Sequence, residues 1–178
     1  MQLLFSLLVF VAMGVSIAYL SVAVATRTGR GLQLMSDLHR VGPAIAFLVS
    51  ATCMAGSLYF SEVANYEPCR LCWYQRVCMY PIAIVLLVAL IRRKRDATPY
   101  VLVLATIGMV VSIYHYLVEW YPTLESNVCS LTVPCTTVWF REFGFISLPL
   151  MALTGFITVI TVLAAPQIAG LNITSESE

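Results

Sequence analysis

Five stretches of this chain are each long and apolar enough to cross a lipid bilayer, and a water-soluble domain of 178 residues has no core large enough to bury all five. They run from Leu3 to Ala25, Pro43 to Phe60, Trp73 to Ile91, Pro99 to Glu119 and Phe143 to Ala165. Spanning the hydrocarbon takes roughly 20 residues at about 1.5 Å of rise each, and lipid offers no partner for an unpaired amide, so each stretch is expected to be a helix. Composition agrees, with 60% of residues hydrophobic and 11% charged. The first stretch reads as a helix and not as a secretory signal, because it has no basic leader and its apolar core is too long. The expected fold class is an all-α integral membrane protein in contact with the lipid bilayer. A net charge of +1 leaves no basic face for nucleic acid.

The few charges set the orientation. Arg27, Arg30 and Arg40 lie between the first two spans, and Arg92 to Arg95 form the run "RRKR" between the third and fourth. The positive-inside tendency makes both loops cytoplasmic, leaving only Arg70, Arg76 and Arg141 outside. The expected layout is a helix over 1–26, a cytoplasmic loop over 27–42, a bundle over 43–165 and a cytoplasmic tail over 166–178. The tail carries a glycosylation sequon, Asn172-Ile173-Thr174, which a cytoplasmic location would silence. Tyr114, Tyr116, Trp120, Tyr121 and Trp139 gather near the outer boundary, as interfacial aromatic rings do. Pro81 and Pro149 fall inside the expected spans, where proline frees a carbonyl and commonly kinks a helix.

Six cysteines sort by depth. Cys53 and Cys78 lie inside spans, where a thiol behaves as a small buried hydrophobe. The other four form two pairs in the two external loops, Cys69-x-x-Cys72 and Cys129-x5-Cys135. Structural staples, a four-thiolate zinc site and dithiol-disulfide exchange all fit two such pairs. Exchange is favoured. A ring closed over Cys69 to Cys72 restricts too little unfolded chain to be a useful staple, and an oxidising compartment tends to turn zinc ligands into disulfides. Cys72 precedes Trp73, the expected helix start, where free amides and the helix dipole favour a thiolate. Arg76 lies one turn deeper on the same face, either as a functional cation or as a snorkelling anchor.

The segments "CRLCWYQRVCMYP", "SIYHYLVE", "CSLTVPCTTVW" and "FGFISLPLMAL" together resemble the DsbB family of disulfide bond formation proteins, particularly its short-loop BdbC-type members. The resemblance covers roughly residues 43 to 165, four of the five spans. It implies a four-helix transmembrane bundle that oxidises a DsbA-like, thioredoxin-fold thiol oxidase and passes two electrons to a membrane quinone, ubiquinone or menaquinone. It further implies a bacterial cell (inner) membrane location, with the cysteine loops on the extracytoplasmic side. By position, Cys129 and Cys135 match the pair that exchanges with the partner. Cys69 and Cys72 match the pair that reoxidises them and faces the quinone, with Cys72 as the donating thiolate and Arg76 as the quinone-site arginine. No metal is expected.

Trp73, Tyr74, Met79 and Tyr80 are near enough to wall a quinone ring, and His115, oriented by Glu119 four residues on, is positioned to relay a proton. Two features depart from the family pattern. One is the additional N-terminal helix, read as free to contact another subunit or protein. The other is a second loop with only five residues between its cysteines. A disulfide-stapled scaffold without enzymatic activity is one alternative. A vitamin K epoxide reductase-like protein is another, disfavoured because its Cys-x-x-Cys follows its loop cysteines and here the order is reversed.

Overall fold

The hydrophobic runs form five long helices, α1 (Gln2–Arg27), α2 (Leu32–Leu58), α3 (Arg70–Arg92), α4 (Thr98–Trp120) and α5 (Leu148–Ile168), all of spanning length and hydropathy. The computed structural model describes residues 2–27, 32–93, 97–125, 129 and 133–168. Arg30, Lys94, Arg95, the sequon at 172–174 and the end of the expected tail lie outside the described residues. The chain is thus an all-α, multi-pass membrane protein. α2, α3, α4 and α5 close a four-helix bundle, and α1 lies against its α2 and α5 edge.

The bundle core is apolar and close-fitted. Ile82 of α3, Val101 and Ala105 of α4, and Phe156 and Val159 of α5 are fully or almost fully buried in one cluster. α4 approaches α5 at Gly108, where an added Cβ would stand 2.2 Å from the Phe156 ring. Phe156 has no free side to move toward, since it is fully buried.

α1 buries Ser6, Val9, Ser16, Tyr19 and Ala23, a stripe at helical spacing, and leaves Leu3, Leu7, Ile17 and Val24 exposed on the other face for lipid. Its inner face is fastened by polar contacts. The Ser16 hydroxyl donates to Thr158 Oγ1 at 3.1 Å, and the Tyr19 hydroxyl donates to the Leu38 carbonyl at 3.2 Å. The additional helix is therefore docked on its own bundle through its inner face.

Two expected boundaries shift. Residues 32–42 are helical and not loop, because Met35 is fully buried against Tyr19, Ala23 and Val162. The charges of Asp37 and Arg40, both exposed, had hidden this amphipathic turn from a search for apolar runs. At the other end, α5 begins at Leu148 and not at Phe143. Phe143 and Gly144 take left-handed backbone angles (φ 53° and 80°), and Glu142 and Ile146 bridge to form a turn. Pro149 consequently falls in the first turn of α5, where a missing amide has no carbonyl to serve.

Filling the α4 and α5 contact should be costly. Gly108→Ala is expected to lower stability by about 1–3 kcal/mol through overpacking, read as a lower thermal unfolding midpoint in detergent. Phe156→Leu in the same chain should restore part of the loss, and equal midpoints for Gly108→Ala and the unsubstituted protein would show the contact to be loose.

Candidate active site

The first turn of α3 holds the vicinal thiols. Cys69 is the residue that caps the helix: its backbone is extended, and its Sγ accepts the backbone N–H of Cys72 at 3.3 Å. The helix-start advantage expected for Cys72 thus belongs to Cys69. The sequence placed the helix start at Trp73 because hydropathy rises there, whereas the backbone already turns at Arg70. The two sulfurs are unbridged and 2.7 Å apart, in hydrogen-bond contact.

Cys69 is buried, and donors surround its sulfur. The Cys72 thiol, His115 Nε2 at 3.5 Å and the Cys72 amide all converge on it. The hydrogen bond from the Cys72 thiol is the largest influence and outweighs desolvation by burial; the His115 hydrogen bond and charge add to it, and the Cys69 thiol is lowered to about 5. His115 is itself buried, and its Nδ1 is paired with the Gln75 amide nitrogen at 3.3 Å. Gln75, a neutral side chain within an apolar run, escaped the sequence reading. Its three-residue spacing from Cys72, which turns it toward α4, was the available signal.

On the other side of the same turn lies an apolar cavity of about 280 Å³. Cys72 and Arg76 are in its wall, with Gln75, Met79 and Tyr80 of α3; Cys69 and His115 are not. His115, expected at the quinone, therefore stands behind the thiol pair. Arg76 donates to the Ser57 carbonyl at 3.0 Å, and its guanidinium lies 5.2 Å from the Trp73 ring. Trp73 and Tyr74 are exposed and are not in the cavity wall. In their place Tyr66 and Trp139, stacked at 4.8 Å, and Phe60, stacked on Tyr66 at 5.7 Å, wall the outer end. Phe60 is brought in by a π-helical turn, Tyr59–Val63, that extends α2. Cys53 also lines the cavity, while Cys78 packs in the core, and neither sulfur is bridged.

Cys129 and Cys135 form a disulfide with a Cα separation of 5.7 Å. The Cys135 amide donates to Glu125 Oε1 at 2.9 Å, tying the bridge to the short turn after α4. Cys135 is 1% exposed and packs in one buried cluster with Cys69, Leu71 and Val118; Cys72 and Cys129 border that cluster. Glu119 does not orient His115. It is paired with Arg141 at 3.2 Å and with the Ser147 hydroxyl, and so fixes the chain returning to α5. Arg141 in turn covers the Trp120 ring at 4.2 Å. Among the described residues the two groups able to hold a metal are Cys69, Cys72 and His115, and Glu125, Cys129 and Cys135; no group joins all four thiols.

A bundle of membrane-spanning helices that sets a vicinal thiol pair against a loop disulfide is a membrane protein of thiol-disulfide chemistry. Residues 39–166 match the family Disulfide bond formation protein DsbB, and the chain belongs to that family. It is 37% identical over 134 residues to Probable disulfide formation protein C 2 of Bacillus anthracis, an alignment covering 75% of this chain and 96% of that protein. It is 41% identical over 116 residues to Disulfide bond formation protein C of Bacillus subtilis, covering 65% and 84%. Probable disulfide formation protein C of Halalkalibacterium halodurans is likewise 41% identical, over 64% of this chain and 84% of that one. No solved structure matches the chain.

The donor set around Cys69 gives a pH signature. With Cys129 and Cys135 replaced by serine and the remaining pair reduced, ultraviolet thiolate absorbance should rise as pH climbs through about 5. Raising pH removes a proton, so the thiolate persists above that value and is lost below it. His115→Ala removes a donor and a positive charge and should move the midpoint upward. A first midpoint near that of a free thiol, about 8.5, would contradict the arrangement.

Proposed function

We propose that the protein is a membrane thiol:quinone oxidoreductase that reoxidises a DsbA-like, thioredoxin-fold thiol oxidase and passes the electrons to ubiquinone or menaquinone. It would thereby support disulfide formation outside the cytoplasm. The observation that carries this reading is that the vicinal thiols face two different surroundings. Cys69 is buried with Cys135, whereas Cys72 is in the wall of an apolar cavity beside Arg76. The names of the Bacillus relatives support the disulfide-forming role. The excess of basic residues in the two loops opposite the cysteines supports an extracytoplasmic site.

The exchange steps follow from accessibility. A partner thiolate attacks Cys129, which is half-buried, in preference to the fully buried Cys135. The partner's second thiol resolves the mixed disulfide; the partner leaves oxidised, and Cys129 and Cys135 hold two electrons and, between them, two protons. In the resting cycle Cys69 and Cys72 are disulfide-bonded. Cys135 attacks Cys69, its neighbour in the cluster, and releases Cys72 as a thiolate on the cavity side. Cys129 then displaces Cys69 from Cys135, which restores the loop disulfide and leaves Cys69 and Cys72 reduced. The donors around Cys69 stabilise it as a leaving thiolate.

The cavity fits a quinone on an observation independent of family. The Tyr80 hydroxyl is buried in the cavity wall without a hydrogen-bond partner, one turn beyond the Arg76 guanidinium. A guanidinium in the wall of an apolar space closed by aromatic rings, with the unpartnered Tyr80 hydroxyl buried nearby, suits a flat ring with oxygens at its edge. A quinone takes up two electrons and two protons, those released when Cys69 and Cys72 re-form their bond. Arg76 holds positive charge where negative charge develops.

Quinone reduction by the detergent-purified protein, driven by a reduced DsbA-type partner, tests the path. Cys72→Ser and Cys135→Ser should abolish turnover. Arg76→Ala should raise the KM for quinone by about tenfold, the worth of one charge-assisted hydrogen bond. Turnover that survives Cys72→Ser would break the path. A wild type inactive with both quinones, its four loop cysteines permanently oxidised, would replace it with a disulfide-stapled scaffold.

A further inference from the structure

The cavity does not stop at the thiols. It continues inward between α2 and α5, past Val49 and Ala152, and its outer wall is α1, through Phe5, Leu8, Val9, Ala12 and Val15. From Phe5 to Val15 is ten residues, about 15 Å along a helix, or half the hydrocarbon thickness. The family match begins at residue 39, so this wall is not part of the matched region.

α1 is clasped above and below the cavity. At the outer end Gln2 Nε2 donates to the Tyr66 hydroxyl at 2.6 Å, and the Phe5 ring lies 5.3 Å from that of Phe60. Phe5 also occupies the space over Gly56, where a Cβ would come within 2.6 Å of its ring. At the inner end the hydroxyls of Ser16 and Thr158 meet, Thr158 also donates to the Ala12 carbonyl at 3.3 Å, and Tyr19 reaches α2. At the inner clasp Ala12 lines the cavity with only a small side chain. The result is an apolar slot that runs from the reactive cysteine into the depth of the membrane.

We propose that α1 is the lipid-side wall of a binding slot for the isoprenoid tail of the electron acceptor, and that Ala12 sets the room available to that tail. This rests on the acceptor reading given above. The slot is lined mainly by apolar side chains, with Thr52 and Thr154 among them, and is continuous with the Cys72 and Arg76 end, where the ring would react. A branched hydrocarbon chain joined to that ring is the ligand chemistry it suits. Without α1 the tail would lie in an open groove against lipid, and its burial by protein would add little to affinity.

The test is equilibrium binding to the purified, reduced full-length protein of two probes, a benzoquinone ring without a tail and the same ring with an isoprenoid tail. Tryptophan fluorescence quenching reads it out, since Trp139 lines the cavity. Wild type should bind the tailed probe the more tightly. Ala12→Phe should weaken the tailed probe by about tenfold or more and the tail-less probe less than about twofold, with Ala12→Leu intermediate. Ile17→Phe, on the exposed face of α1, should change neither.

Wild type that binds both probes equally, or Ala12 variants that weaken neither probe, would overturn the inference while the acceptor reading stands. Equal loss of both probes in Ala12→Phe and Ala12→Leu would assign α1 to holding the fold and overturn it as well. Wild type that binds neither probe would remove the acceptor reading, and this inference with it.

Discussion

Lipid gives a buried amide no partner, and that constraint decides where this chain can do chemistry. Along a membrane helix every backbone group is already engaged, so unspent donors exist only at the helix ends. Cys69 stands at such an end. Its sulfur takes the Cys72 amide that the α3 helix cannot use, and the same turn brings the Cys72 thiol and the α4 histidine onto it. A thiolate far inside the bundle would have no such set of donors, and Cys78, packed among apolar side chains in the core, illustrates the contrast.

The rest of the outer surface holds that turn in place. α4 supplies His115 and, one turn further on, Glu119, which pairs with Arg141 and Ser147 and so fixes the chain between the loop disulfide and α5. Glu125 binds the Cys135 amide from the other side. The loop with only five residues between its cysteines is therefore anchored before and after the bridge. Cys135 lies beside Cys69 with these anchors on either side.

Spans, fold class and the two cysteine pairs were legible in the sequence because each is a local signal: a run of apolar residues, or two cysteines a few positions apart. Boundaries were less legible wherever a helix continued past its apolar run. Leu32 to Gly42 is helical because Met35 meets Tyr19 of α1, a contact between residues far apart in sequence. Phe143 looked like part of a span and is a turn, since its positive φ depends on the Glu142 and Ile146 bridge. The same limit applied to the site. Arg76 was found from helical spacing and Met79 from nearness in sequence, but Tyr66 and Trp139 reach the cavity from loops and Phe5 from α1, which no periodicity relates to α3. Glu119 was assigned to His115 by its four-residue spacing, and Arg141 on another segment took it instead.

Separation of the two sides of one helical turn has a chemical consequence. On the proposed function the loop disulfide would meet an aqueous partner, while the cavity opens among membrane helices, and the two reactants would differ as much in solubility as in redox chemistry. If both reached the same sulfur, a partner thiol could reduce the acceptor directly, or an acceptor could oxidise loop thiols at random. Here Cys69 is closed in by Leu71, Val118 and Cys135, and Cys72 borders the cavity beside Arg76. On the function proposed above, electrons would cross through the bond between these two cysteines, three residues apart at the start of one helix. On that function a ring too small to staple the fold has a different value: it would join the loop side of the turn to the cavity side.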